Sequence, residues 1–120
     1  MAYLEPKAPG FSYGLGTISG AGVAGQLVKA AGDNVFAVND DADGVSFGVL
    51  AKSYADGEMC GVFCMGGIYE TDQFEGSPEP GAQLACDADT GKLKTLAEGN
   101  FVVGQAISLQ NGVLRFKLSV

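Results

Sequence analysis

The sequence predicts an all-β fold: a compact antiparallel β-sandwich or small barrel built from two quasi-repeated halves, with an extended N-terminal arm. Three observations carry this. The last residues alternate strictly between apolar and polar, 19 glycines punctuate short apolar runs without a collagen-like period, and the second half repeats the strand and turn signals of the first. Spaced glycines of this kind mark many short strands joined by tight turns. At 120 residues and 47% apolar composition the chain can bury one modest core as a single domain.

In chain order, residues 1–17 come first. Pro6, Pro9, Gly10, Gly14 and Gly16 argue against a helix or a long strand there. Tyr3, Leu4, Phe11, Tyr13 and Leu15 nevertheless make the segment rich in large apolar groups. It is expected to be an extended arm, docked either on a partner or back on its own domain, with Tyr3, Leu4, Phe11 and Tyr13 as the partner-binding anchors. Such an arm should be separable, so that deleting it leaves residues 18–120 folded as one β domain.

Residues 26–30 and 35–38 then form a short hairpin turning near Gly32. Residues 45–54 and 58–65 form a longer one across Asp56-Gly57. Residues 68–80, rich in Glu, Gly and Pro, read as a linker between quasi-repeats at about 25–67 and 81–120. A second short hairpin, 83–86 with 92–96, turns at Gly91. In the final strand Leu114, Phe116, Leu118 and Val120 alternate with Arg115, Lys117 and Ser119, the period of a strand with one dry face. Asn111-Gly112 precedes it and suits the two positive-φ positions of a type I′ turn, so residues 101–109 are its hairpin partner. The halves align by Gln26-Leu27 with Gln83-Leu84 at an offset of 57, and by Gly48 with Gly104 at an offset of 56. Gly48 and Gly104 are expected at bulges or sharp bends.

Chemistry is sparsely signalled. There is no histidine, which removes the usual triads and the commonest metal ligand. Cys60, Cys64 and Cys86 fit no disulfide framework and read as buried free thiols behaving as small hydrophobes. Asn39, Asp41, Asp43 and Gly44 mimic the start of a calcium loop, but Leu50 stands where the bidentate acid is required, so a solvated turn is expected. No catalytic residue, cofactor or metal site is expected. A formal charge of −7 and a pI near 4.2 argue against nucleic acid and against anionic membranes. No apolar run approaches the roughly 20 residues of a spanning helix, and the first residues lack a signal-peptide pattern, so synthesis in a cytoplasm is expected.

A set of loose glycine-centred motifs resembles the capsid decoration, or cement, proteins of tailed bacteriophages. These are Gly25-Gln26-Leu27-Val28-Lys29, Phe36-Ala37-Val38, Val45-Ser46-Phe47-Gly48-Val49-Leu50 and Gly57-Glu58-Met59 in the first half. In the second come Gly66-Gly67-Ile68-Tyr69, Pro80-Gly81-Ala82-Gln83-Leu84, Asp89-Thr90-Gly91-Lys92-Leu93 and Val103-Gly104-Gln105-Ala106. The resemblance covers residues 25–120 and rests on the order of the motifs. It implies a non-enzymatic virion protein on the capsid exterior, a homotrimer whose partner is the major capsid protein. Two rivals stand beside it: another phage component such as a tail-tube or head-completion protein, and a lipoyl- or biotinyl-type carrier domain. The carrier reading needs a lysine at a hairpin tip, where this chain has Asn111-Gly112 and Asp56-Gly57.

Overall fold

A computed structural model describes residues 2–120. Nine strands and no helix make up the described residues: β1 (Leu4–Ile18), β2 (Leu27–Gly32), β3 (Val35–Val38), β4 (Gly48–Leu50), β5 (Met59–Thr71), β6 (Gln83–Cys86), β7 (Leu93–Thr95), β8 (Gly104–Gln110) and β9 (Val113–Leu118). The all-β class is as expected from the alternation and turn signals. The strands run in the order β1-β3-β2-β4-β5-β9-β8-β6-β7, and β1 also pairs with β5. That extra pairing closes β1, β3, β2, β4 and β5 into a ring. Within the ring all strand pairings are antiparallel except β1 with β3, which is parallel over Thr17↔Val35 and Ile18↔Phe36.

Two cores result. The smaller fills the ring and takes one or two residues from each of its strands: Ile18, Val28, Phe36, Leu50, Cys60 and Val62. The larger lies between β2, β4 and β5 and the second half, around Leu27, Val49, Tyr69, Leu84, Leu114, Phe116 and Leu118. Side chains alternate across a strand. Leu27 and Val28, and likewise Val49 and Leu50, therefore point to opposite sides, and all four are fully buried. The β2–β4 pair is thus a wall with a dry face on each side, which is why both strands carry consecutive apolar residues instead of alternating ones.

The two halves share one hydrogen-bonding plan. Phe47 N–H donates to Val28 O at 2.8 Å, and Val103 N–H to Leu84 O at 2.9 Å. Leu50 N–H donates to Gln26 O at 2.9 Å, and Ala106 N–H to Ala82 O at 2.8 Å. Gly48 pairs with Val28, and Gly104 with Leu84. The spatial offset between β2 and β4 and their counterparts β6 and β8 is 56, so Leu84 corresponds to Val28 and not, as the Gln-Leu match suggests, to Leu27. No register shift falls at Gly48 or Gly104, so neither is a bulge. An added Cβ would run into the Phe63 carbonyl at Gly48 and the Lys117 carbonyl at Gly104, so both glycines permit a close approach of neighbouring backbones. The bulge in β8 falls at Ile107 instead, between the pairs of Ala106 and Ser108.

Other turns sharpen the picture. Asn111 (φ 54°) and Gly112 (φ 75°) both take positive φ, as a type I′ hairpin requires. Asp56-Gly57 does not close a two-residue hairpin, because β4 ends at Leu50 and only Gly57 has positive φ there. The first short hairpin turns on Asp33-Asn34, with Asn34 at φ 56°, while Gly32 pairs with Val35. β5 continues to Thr71, four residues into the stretch read as a linker. It pairs first with β4 and then with β9, and between them Met65, Gly66 and Gly67 all have positive φ (62°, 87° and 103°). That reversal of local backbone hands the strand from one half to the other. Its free amides are taken up by the Val120 main-chain oxygen, at 2.6 Å from Met65 N and 3.2 Å from Gly66 N.

The largest departure is at the N-terminus. Residues 4–18 form a 15-residue strand, where the prolines and glycines predicted none. β1 lies along β5 from Leu4↔Thr71 to Thr17↔Met59, with register shifts after Pro6, Pro9 and Tyr13. On a strand with one free edge a missing proline N–H costs no ladder bond if it faces outward, and each shift absorbs local irregularity. The described part of residues 1–17 is docked back on its own domain, one of the two placements expected, with Leu4 packed on the larger core and Tyr13 on the smaller. Met1 lies outside the described residues.

Candidate partner-binding surface

The four nominated anchors separate into two kinds. Tyr3 and Leu4 fasten β1 to its own domain. Tyr3 N–H donates to Asp72 Oδ1 at 2.8 Å, its carbonyl accepts from the buried Thr71 hydroxyl at 2.7 Å, and its own hydroxyl donates to Glu5 Oε2 at 2.7 Å. Leu4 packs against the larger core. Phe11 is 68% exposed and stays available. Tyr13 is half-buried at the mouth of the ring, packed on the smaller core.

At that mouth three aromatic rings meet. Tyr13 stands edge-on to Phe36 (centroids 5.9 Å apart, 76° between planes) and to Phe47 (6.2 Å, 68°), and Phe36 and Phe47 lie 4.8 Å apart. Edge-to-face packing of this sort is the favoured aromatic geometry. The Tyr13 hydroxyl donates to Asn34 Oδ1, tying β1 to the β2–β3 turn. Together with Ala30, Gly32 and Val35, these residues line an open groove of about 260 Å³. Phe11, two residues before Tyr13 in unbroken register with β5, is on the same side of β1. Phe36, Phe47 and Asn34 were not nominated from sequence. Each reads locally as an ordinary strand or turn residue, and only the closing of the ring assembles them.

Further apolar groups are exposed on the same pair of strands. Leu15 is 70% exposed, Met59 62% and Met65 69%. Met59 pairs with Thr17 two residues beyond Leu15, on the outside of the ring.

The other half of β1 is charged. Glu5 lies directly opposite Glu70, and Glu70 opposite Arg115, across three neighbouring strands. Two carboxylates facing each other would repel. Lys7 Nζ bridges them at 2.6 Å from Glu5 and 3.4 Å from Glu70, and Arg115 adds a contact to Glu70 at 2.7 Å. Hydrogen bonds from Lys7 to Glu5 and from Arg115 to Glu70 hold both carboxyls below their ordinary range. The hydrogen bond to Glu5 raises the Lys7 ammonium.

The three thiols are free and buried. Burial pushes Cys60 and Cys64 up, and Cys86 up to about 12, away from the thiolate that nucleophilic or redox chemistry needs. In the calcium-like segment Asn39, Asp41 and Asp43 each have a side-chain oxygen engaged by a protein donor. Asn39 Oδ1 accepts from Asp41 N–H and Asp41 Oδ1 from Asp43 N–H, each at 3.0 Å, while Asp43 Oδ1 accepts from Asn100 at 2.9 Å. No group of three or more His, Cys, Asp or Glu placed to hold a metal occurs among the described residues.

Fold and surface together define a small all-β domain that presents an aromatic groove and exposed apolar side chains along its N-terminal strand. No protein-family model and no curated protein sequence matches the chain. Among solved structures it is similar to the N base of the head fibre protein gp8.5 of bacteriophage phi29, with a TM-score of 0.64 over 99% of this chain and 95% of that one. At 17% identity, this likeness is one of fold.

Proposed function

We propose that the chain is a structural protein of a bacteriophage virion that decorates the outer surface of the head and cements contacts between capsid subunits. The observation that carries the reading is the likeness, over nearly the whole chain, to a domain of a phage head fibre. The decoration-protein motifs in residues 25–120 point the same way. Its partner in this reading is the major capsid protein, engaged by a homotrimer.

The surface suits such a role. A cement protein needs many modest contacts multiplied by symmetry, and the exposed Phe11, Leu15, Met59 and Met65 supply apolar groups for them. Burying one large apolar side chain contributes on the order of 1.5–3 kcal/mol before ordering costs. Linking three such surfaces in one trimer raises avidity without new contacts. Phe11 and Tyr13 are the anchors proposed to face the shell, and Tyr3 and Leu4 hold the strand that carries them.

Co-sedimentation of the purified chain with undecorated heads over a range of salt concentrations tests the proposal. Saturable binding that changes little with salt is expected from apolar docking, and binding that collapses as salt rises would assign the attraction to charge instead. Absence of binding at any salt would refute the cement role.

A further inference from the structure

The free edge of β1 divides at Pro9. From Leu4 to Pro9 the edge is blunted by two prolines and by Glu5 and Lys7, the usual devices against unwanted strand pairing. From Gly10 to Thr17 there is no proline and no charge. β3 joins this edge only at Thr17 and Ile18, and β5 occupies the opposite edge. In an antiparallel ladder alternate residues direct their N–H and C=O groups to one side, so those of residues 11–15 that turn away from β5 meet no strand. Directly beside them is the groove of Tyr13, Phe36 and Phe47, with the small residues Ala30 and Gly32 keeping it open.

We propose that this edge and groove form a docking site for an extended, lysine- or arginine-flanked segment of another protein. The segment adds a strand along residues 10–15 and seats one large apolar side chain among Tyr13, Phe36 and Phe47. Backbone pairing plus one side-chain pocket is the physics of strand addition. Charge selects the occupant. The chain carries −7, and the exposed Asp33 adjoins Asn34 at the rim, so a second copy brings like charge to the site and a basic segment brings the complement. This site shares Phe11 and Tyr13 with the face proposed above to meet the shell, but the peptide titration below reads it whether or not the chain binds a phage head.

The test is a titration of the ¹⁵N-labelled full chain, followed by amide spectra, with three capped nine-residue peptides. The first alternates lysine and valine around a central phenylalanine. The second is N-methylated at alternate residues, and the third carries glutamate for lysine. The first is expected to shift the amides of residues 11–15 and 30–36 selectively, and the other two to bind roughly tenfold more weakly or worse. Phe47→Ser, which removes the anchor contact, and Ala30→Gln, which fills the groove from an exposed position, are each expected to cost about tenfold in affinity while the remaining spectrum is kept. Shifts spread over the acidic surface and indifferent to both variants would reduce the effect to general charge attraction and overturn the proposal. So would equal binding of the glutamate peptide. Concentration-dependent shifts of residues 11–15 without peptide would assign the edge to a second copy.

Discussion

The two halves of the molecule follow the same backbone plan yet expose opposite characters. In β2, β4 and β5 the residues Leu27, Val49 and Phe63 face the larger core. Their counterparts in β6, β8 and β9 are Gln83, Gln105 and Lys117, by the pairings Leu27↔Val49↔Phe63 and Gln83↔Gln105↔Lys117. Those three polar residues line an open surface depression with Ser119. The opposite faces match in both halves: Val28, Leu50 and Val62 are buried, as are Leu84, Ala106 and Phe116. One repeat therefore serves as the middle layer and the other as an outer layer. The difference shows that glycine-hinged hairpins fix the path of the backbone, while the side chains on one face decide which repeat is covered. What covers the first repeat on its far side is β1, and the groove is where that cover ends.

Removing the cover is expected to have the largest effect. A chain lacking residues 1–17 loses the β1–β5 ladder and opens the smaller core, a loss comparable to the roughly 5–15 kcal/mol that holds a whole domain together. Its amide spectrum should collapse, and a well-dispersed spectrum with an unchanged melting temperature would return residues 1–17 to the status of a separable arm.

Exchanging the characters of the halves comes next. Val49→Gln puts an amide into a fully buried wall without a partner and should cost about 3 kcal/mol or more in chemical denaturation. If that variant is as stable as the parent, the wall is not dry on both sides. Gly48→Ala and Gly104→Ala sharpen the likeness instead. Each drives a methyl into the carbonyl of the adjacent strand, and each should cost about 1–3 kcal/mol. Losses differing by more than that range would break the structural equivalence of the two glycines. The smallest effect belongs to Gln105→Val, the reciprocal of Val49→Gln. At an exposed position it should stay within about 0.5 kcal/mol of the parent, and a large change in either direction would mean that the outer layer is covered after all.

Much of this was legible in the residues. The alternation of residues 114–118 and the Asn111-Gly112 pair specify β9 and its turn, because one wet face and two positive-φ positions leave local marks. The doublets Leu27-Val28 and Val49-Leu50 carry the mark of strands buried on both sides, consecutive apolar residues, although not which layer they occupy. β1 was illegible for a physical reason. Its prolines and glycines argue locally against a strand, and only the partner β5, 42 or more residues away in each pair, makes one. The groove was hidden likewise, since Tyr13, Phe36 and Phe47 come from separate parts of the ring. Of the four nominated anchors, the sequence marks all as large apolar groups, and it takes the paired strand to divide Tyr3 and Leu4 from Phe11.

The role proposed for this scaffold is tested most directly by imaging undecorated phage heads incubated with saturating protein by electron cryomicroscopy. Ordered extra density on the outer face of the shell, at sites bridging neighbouring capsid subunits, is the result expected. Shells that stay bare at saturation, or density confined to a tail, would contradict it.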